Sequence, residues 1–237
     1  MCGRFTLNQS SSALCKFFGI DQIPDLSAEY NIAPTQMVAT VRHNPETNQR
    51  EFQQLRWGLI PRWMKEPGMG VKLINARAET VAEKPAFRGA FYHRRCLVLA
   101  DGFYEWKREN GKKQPFYFQL SEGTPFGFAG LWEKWQPLAS KSEGEEIISC
   151  TILTTAANEL VKPIHQRMPV ILAPQDYDLW LNHQMQTPEL LQQLLCPYPD
   201  QAMTGYPVSS LVNDSRQNSA ECIIPLSGDN LLSENIF

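Results

Sequence analysis

No run in the 237 residues approaches the ~20 consecutive apolar residues that a membrane-spanning helix needs, so no membrane span is expected. There is no apolar N-terminal stretch behind a basic flank, so no secretory leader is expected either. No Pro-, Gly- or Ser-rich stretch divides the chain, and no internal repeat is visible. One domain is therefore expected, and 43% hydrophobic residues supply a sizeable core. Charged residues make up only 20%, which argues against global disorder. The six cysteines, Cys2, Cys15, Cys96, Cys150, Cys196 and Cys222, lack paired spacing. That scatter suits free thiols in a reducing compartment rather than a disulfide framework or a zinc site. No metal and no cofactor are expected, and the location expected is cytoplasmic.

A strong excess of one charge sign is also missing, the net charge being −3. The average hides an asymmetry. Residues 1–110 carry 15 Lys and Arg against 11 Asp and Glu, and residues 111–237 carry 7 against 14. Arginine and tryptophan concentrate in the first half, at Arg4, Arg56, Trp57, Arg62, Trp63, Arg77, Arg88, Arg94, Arg95 and Trp106. A local basic and aromatic face for nucleic acid is compatible with this, as is an ordinary mixed surface.

Local signals predict an α+β domain, mostly antiparallel, with a twisted or partly closed sheet and peripheral helices. Asn8 to Phe18 reads as a short helix stopped by Gly19. Met37–Arg42 and Glu51–Trp57 read as a hairpin around the turn at Asn44 to Asn48. Gly58 to Gly70 reads as a loop with exposed apolar groups, and Lys84 to Phe91 as a helix. Arg95 to Lys107 is a long apolar run read as one central strand, with Gly102 marking a bulge or a close backbone approach. Asn110-Gly111 is a strong hairpin turn leading to a strand at Gln114–Leu120. Further strands are read at Phe126–Leu131, Ile147–Thr154 and Met168–Leu172, with a polar loop at Lys134–Glu145. Helices are read at Tyr177–Asn182 and Pro188–Leu195, and a frayed tail after residue 225.

What is present at the start of the chain is more telling. Cys2 follows the initiator methionine, and methionine is readily trimmed before a small residue. Trimming leaves a free α-amine and a thiol on adjacent carbons, and this 1,2-aminothiol condenses with an aldehyde to an imine that the thiol closes to a thiazolidine. The amine titrates near ~7.7–8.0 and the thiol near ~8.5, so neither needs strong tuning. Three further segments hold polar residues where core packing does not ask for them: Ile74 to Glu79, Asp101 to Lys107 and Ile164 to Pro169. Glu105, flanked by Tyr104 and Trp106, becomes a proton donor at neutral pH if buried, or simply faces solvent. His165 suits acid–base work, or is a capped loop histidine. Asn75 can hold a substrate oxygen or the terminal amine, or cap the following turn. Arg4, Arg77 and Arg167 stand within two residues of these groups, and guanidinium forks suit phosphates.

Taken in order, Met1-Cys2-Gly3-Arg4-Phe5, Tyr30-Asn31-Ile32-Ala33-Pro34, Arg56-Trp57-Gly58-Leu59-Ile60-Pro61, Ile74 to Glu79, Asp101 to Trp106 and His165-Gln166-Arg167-Met168-Pro169 resemble the SOS-response-associated peptidase (SRAP) family. Its members shield abasic sites in DNA. The resemblance covers residues 1–225 and implies a covalent crosslink to abasic sites in single-stranded DNA through the Cys2 amine and thiol. By the same resemblance Glu105 shuttles protons, His165 assists sugar-ring opening, and Asn75 positions amine and sugar. It implies DNA contacts by Arg4, Arg77, Arg167, Asn31, Pro34 and Trp106, with Trp63 and Pro61 stacking on or wedging against bases. It implies a monomer whose only necessary processing is loss of Met1, although the family name points to autoproteolysis. Two rivals remain. Met-Cys-Gly also opens glutamine amidotransferases with an N-terminal cysteine nucleophile, and the same arginine and tryptophan face fits a non-covalent single-strand binding module.

Overall fold

Alternating apolar runs separated by turns force most of this chain into strands, and hydrogen bonding sorts the strands into two sheets. The computed structural model describes residues 2–66, 72–109, 111–137, 146–185 and 187–226. In chain order the elements are β1 (Phe5–Leu7), α1 (Ser11–Phe18), β2 (Glu29–Ile32), β3 (Met37–Asn44), β4 (Gln49–Trp57) and β5 (Asn75–Arg77). Then follow α2 (Arg88–His93), β6 (Arg95–Ala100), β7 (Gly102–Glu109), β8 (Lys112–Leu120), β9 (Phe126–Trp135) and β10 (Ile147–Ala156). The last are β11 (Arg167–Pro169), β12 (Ile171–Leu172), α3 (Tyr177–Leu181), α4 (Pro188–Gln193) and β13 (Met203–Pro207).

One sheet has five strands in the order β13-β8-β7-β1-β2. The other has eight, and its pairing passes through β10, β4, β3, β6 and β9 and returns to β10, closing a ring. The closure is thin on one side: β10 meets β4 in parallel only at Ser149↔Arg56 and Cys150↔Trp57. Beyond that point β10 is flanked by β5 in parallel at Ile152–Thr154 and by β11 antiparallel at Thr154–Ala156. The expected α+β architecture with a partly closed, mostly antiparallel sheet is therefore present. Phe5 of β1 joins the two sheets, its ring 5.1 Å from Trp57 and 5.7 Å from Phe128, both edge-on. Truncating such a core aromatic costs about 3–5 kcal/mol.

Several local readings hold for identifiable reasons. Helix α1 is capped by Ser10, whose side chain accepts from the Ala13 N–H, and ends on Gly19 at φ 64°. The β7–β8 hairpin closes with Glu109 opposite Lys112, and Gly111 sits at φ 78°; Asn110 lies outside the described residues. A Cβ on Gly102 would fall 2.1 Å from the Tyr117 hydroxyl, so the expected close backbone approach is real.

Other expectations need correction. The run Arg95 to Lys107 is two strands in two sheets, β6 in the ring and β7 in the five-stranded sheet, with the break at Asp101. The buried Asp101 carboxylate receives the Thr6 hydroxyl at 2.5 Å and the Asn8 and Gln9 N–H groups at 2.5 and 3.2 Å. Those bonds turn the chain from one sheet to the other. Helix α2 starts at Arg88, after turns that occupy the region of Pro85. In the loop after β4, Leu59, Ile60 and Met64 are buried and Trp63 stands 61% exposed; residues 67–70 lie outside the described residues. β9 continues to Trp135, so the polar loop starts later than expected, and residues 138–145 are not described. The tail read as frayed falls mostly on residues 227–237, also outside the description. The short strands β1, β2, β5 and β13 had no alternation long enough to reveal them.

Candidate functional site

Two hydrogen-bonded crossings and one close approach bring the distant polar segments together. Cys2 leads into β1, which lies beside β7 with Phe5 opposite Phe103. The Tyr104 N–H donates to the Arg4 carbonyl at 3.0 Å, which draws the N-terminal arm along β7 toward Glu105. From the eight-stranded sheet, Asn75 at the start of β5 donates its side-chain N–H to the Cys2 carbonyl at 2.8 Å. His165 stands two residues before β11, and its Nδ1 lies 4.0 Å from Glu105 Oε1. The five-stranded sheet thus supplies Cys2 and Glu105, and the eight-stranded sheet supplies Asn75 and His165.

Burial sets the protonation of this cluster. Cys2 is fully buried, its thiol lies 3.7 Å from the Arg4 carbonyl oxygen, and desolvation, reinforced by Glu105, pushes the thiol well above its ordinary range. The thiol is neutral here. Glu105 is 2% exposed, and burial raises its carboxyl, with His165 opposing the rise. It therefore holds a proton to higher pH than an exposed glutamate and can deliver it. The Arg167 N–H lies 3.0 Å from His165 Nδ1. The Arg167 carbonyl oxygen lies at the same distance, so Nδ1 finds a partner there in either tautomer. Asn75 Oδ1 is buried without a hydrogen-bond partner in the described structure. It is an acceptor awaiting a donor beside the Cys2 main chain.

The expected DNA contacts divide. Arg77 is exposed on β5, and Trp63 is exposed on its loop. Trp106 is half-buried, and its Nε1–H donates to Asn213 Oδ1 at 2.7 Å. Arg167 is held by Glu79 in a two-bond fork at 2.5 and 2.9 Å and by the Thr154 carbonyl, so its charge is already paired. Arg4 donates to Asn31 Oδ1 at 2.9 Å and to the Val212 carbonyl at 2.7 Å. Asn31 is 2% exposed, and its Nδ2 lies 3.0 Å from the Asp214 carbonyl and 2.8 Å from that of Gln217. Arg4 and Asn31 are therefore internal ties that fasten residues 212–217 to β1 and β2. Pro61 is buried rather than a surface wedge, and Pro34 is half-buried. The wider arginine and tryptophan face also thins out, since Trp57 and Arg95 are buried and Arg95 donates to five main-chain carbonyls.

A cavity of about 790 Å³ opens from the cluster, lined by Glu105, Trp106, Arg108, Lys113, His165 and Asn213. Arg108, Lys113 and Asn213 were not singled out in the sequence. The Asn-Gly turn could have found the first two, because closing it sets Arg108 opposite Lys113. Nothing local could have found Asn213. Among the described residues no group of three or more His, Cys, Asp or Glu is placed to hold a metal ion, all six cysteines are free, and no helix is long and apolar enough to cross a membrane.

Comparison with known proteins agrees with the motif order. The profile of the SOS response associated peptidase (SRAP) family matches residues 1–215. Abasic site processing proteins YoaM and YoqW of Bacillus subtilis (strain 168) are each 46% identical over 227 residues, an alignment covering 94% of this chain and 97% and 99% of theirs. An X-ray structure of a protein from Bacteroides thetaiotaomicron superposes with a TM-score of 0.83 at 26% identity, covering 95% of this chain and all of the other. A family match across most of the chain, close relatives over nearly their full length, and a site that gathers the motif residues lead to one conclusion: this chain belongs to the SRAP family.

Proposed function

We propose that this protein processes abasic sites in single-stranded DNA by trapping the ring-opened sugar aldehyde on Cys2 once Met1 is removed. The observation that carries the reading is the seating of Cys2. Its carbonyl is held by Asn75, its thiol lies buried within the field of Glu105, and the Glu105–His165 pair stands beside it. An N-terminal 1,2-aminothiol next to a proton donor is the equipment for aldehyde capture. The names of the relatives, abasic site processing proteins, point to the substrate.

The steps balance without a co-reactant. The α-amine adds to the aldehyde carbon, a proton delivered to the resulting hydroxyl lets water leave, and an imine remains. The thiol then adds across the imine, its proton passing to nitrogen, and a thiazolidine closes. The net loss is one water. Glu105, kept protonated by burial, supplies the proton for ring opening and water loss. His165, 4.0 Å away, exchanges protons with it. The unpartnered Oδ1 of Asn75 accepts a hydrogen bond from the amine and aims its lone pair. Thiol capture matters because an open iminium acidifies the neighbouring carbon and invites elimination that breaks the strand. Burial keeps the thiol protonated until the imine forms, and that proton is the one the nitrogen takes up as the ring closes. Arg77 pairs with a phosphate, and Trp63 offers a stacking face worth roughly 1–3 kcal/mol per base.

The test is intact mass spectrometry of the trimmed protein with a single-stranded oligonucleotide carrying one abasic site. A species at the summed mass less one water that survives heating, absent with undamaged DNA and with Cys2→Ala, supports the reading. No adduct after confirmed loss of Met1 refutes it, and glutamine hydrolysis or plain single-strand binding becomes the reading to examine.

A further inference from the structure

The cavity runs past the reacting cluster to two cations that the chemistry above does not use. The β7–β8 hairpin sets Arg108 directly opposite Lys113, both exposed and both lining the cavity. Like charges on facing antiparallel residues repel. The neighbouring rungs avoid this: Glu109 faces Lys112, Lys107 faces Gln114, and Lys107 is paired with Glu109 at 2.8 Å. Within the described residues neither the Arg108 nor the Lys113 side chain has a hydrogen bond or an ion pair. The repulsion is left standing at one rung, and that rung is at the cavity.

The wall beside it is built to stay in place. Trp106 is pinned by Asn213 at 2.7 Å, and the segment carrying Asn213 is tied down by Arg4 and Asn31. A fixed aromatic face beside uncompensated cations is the combination that binds single-stranded nucleic acid, with bases stacking and phosphates pairing. Arg77 lies on β5 of the eight-stranded sheet, whereas Arg108 and Lys113 lie on the five-stranded sheet. Arg77 stands two residues from Asn75, which holds the Cys2 carbonyl, and Arg108 and Lys113 share a cavity with Glu105 and His165.

We propose that Arg108 and Lys113 form a phosphate subsite for the nucleotides on one side of the reacting sugar, with Trp106 as the adjoining stacking face. The proposal rests on the aldehyde-capture reading and adds to it a direction: the two arms of the DNA are gripped by different sheets.

The experiment measures crosslinking by the Met1-trimmed protein on oligonucleotides whose abasic site stands at varied distances from each end. In the wild type, shortening one particular arm should slow the reaction. Arg108→Glu and Lys113→Glu should each lose sensitivity to that arm and keep sensitivity to the other, and the slope of log affinity against log salt should fall by about 0.7 per cation removed. Lys16→Glu, an exposed change of equal charge on α1, should retain the wild-type arm dependence. Equal slowing on every oligonucleotide, or an unchanged salt slope in a variant with wild-type thermal melting, overturns the subsite. If the wild type forms no adduct at all, it is the aldehyde-capture reading that fails. The same variants titrated with undamaged single strands then still decide the subsite through the salt slope.

Discussion

Asp101 and Glu105 stand four residues apart, one at the break between β6 and β7 and the other on β7, and both are carboxyls with almost no exposure, 4% and 2%. Burial raises both above the ordinary carboxylate range. Their surroundings differ. Asp101 is enclosed by the Thr6 hydroxyl and two main-chain N–H groups, and it holds the turn that carries the chain between sheets. Glu105 faces a cavity, a histidine and the N-terminal cysteine. Desolvation alone thus does not mark a reactive acid. An acid whose partners are main-chain donors serves the fold, and one whose neighbours are a thiol, a histidine and open space can serve chemistry.

The widest separation of the two roles should come from Cys2→Ala, which removes the thiol that closes the ring and keeps the α-amine. Complete loss of the heat-stable covalent species by mass spectrometry is expected, with single-strand binding retained. Cys2→Ser should leave at most a labile imine and more strand breakage. Glu105→Gln should slow single-turnover crosslinking by about 10²–10⁴-fold while shifting stability by less than about 1 kcal/mol in denaturant titration. A wild-type rate in this variant would place the proton donor elsewhere.

Asp101→Ala is the mirror experiment. It strands three donors at about 1–3 kcal/mol each, so a loss of roughly 3 kcal/mol or more is expected. For a chain of this size that is a melting drop of about 2–4 °C per kcal/mol, measured by calorimetry. A stable Asp101→Ala protein would dissolve the contrast.

The pH dependence sharpens the contrast further. Crosslinking should rise with pH as the α-amine, near ~7.7–8.0, loses its proton. It should fall as Glu105 loses its own, the carboxyl being raised by burial. In Glu105→Gln the falling limb should vanish. For stability the sign is fixed by linkage. A folded-state pKa above the unfolded one means the folded chain binds more protons between the two values, so stability drops as pH rises through that window. Glu105→Gln should flatten that drop, and chemical denaturation across pH would show it. The smallest effect expected is from Arg77→Ala, which should weaken all single strands alike and reduce the salt slope by about 0.7.

Much of the secondary structure was legible because its causes are local. Ser10 and Gly19 bound α1, the Asn-Gly pair closes β7–β8, and alternation marks β3, β4, β8 and β10. The short strands β1 and β5 were not legible, since three residues carry no period. Their strand character comes from the neighbours they meet, β7 for one and β10 for the other. Cys2, Asn75, Glu105 and His165 were legible as candidates because each sits in a recognisable motif, and the fold brings them together. The roles of Arg4 and Asn31 were not readable, since whether a guanidinium or an amide meets solvent or a carbonyl some 180 to 208 positions away depends on where the chain returns.

The sequence by itself determined the capping, the hairpin turns, the apolar strands and the placing of a cysteine at position 2, because each depends on residues within a few positions of one another. Only the tertiary structure decided that positions 2, 75, 105 and 165 come together, that Glu105 is buried there while Arg77 is exposed, and that Asn213 walls the cavity. Burial and pairing are properties of elements brought together across the whole chain, and no local pattern encodes which of two similar side chains will be enclosed.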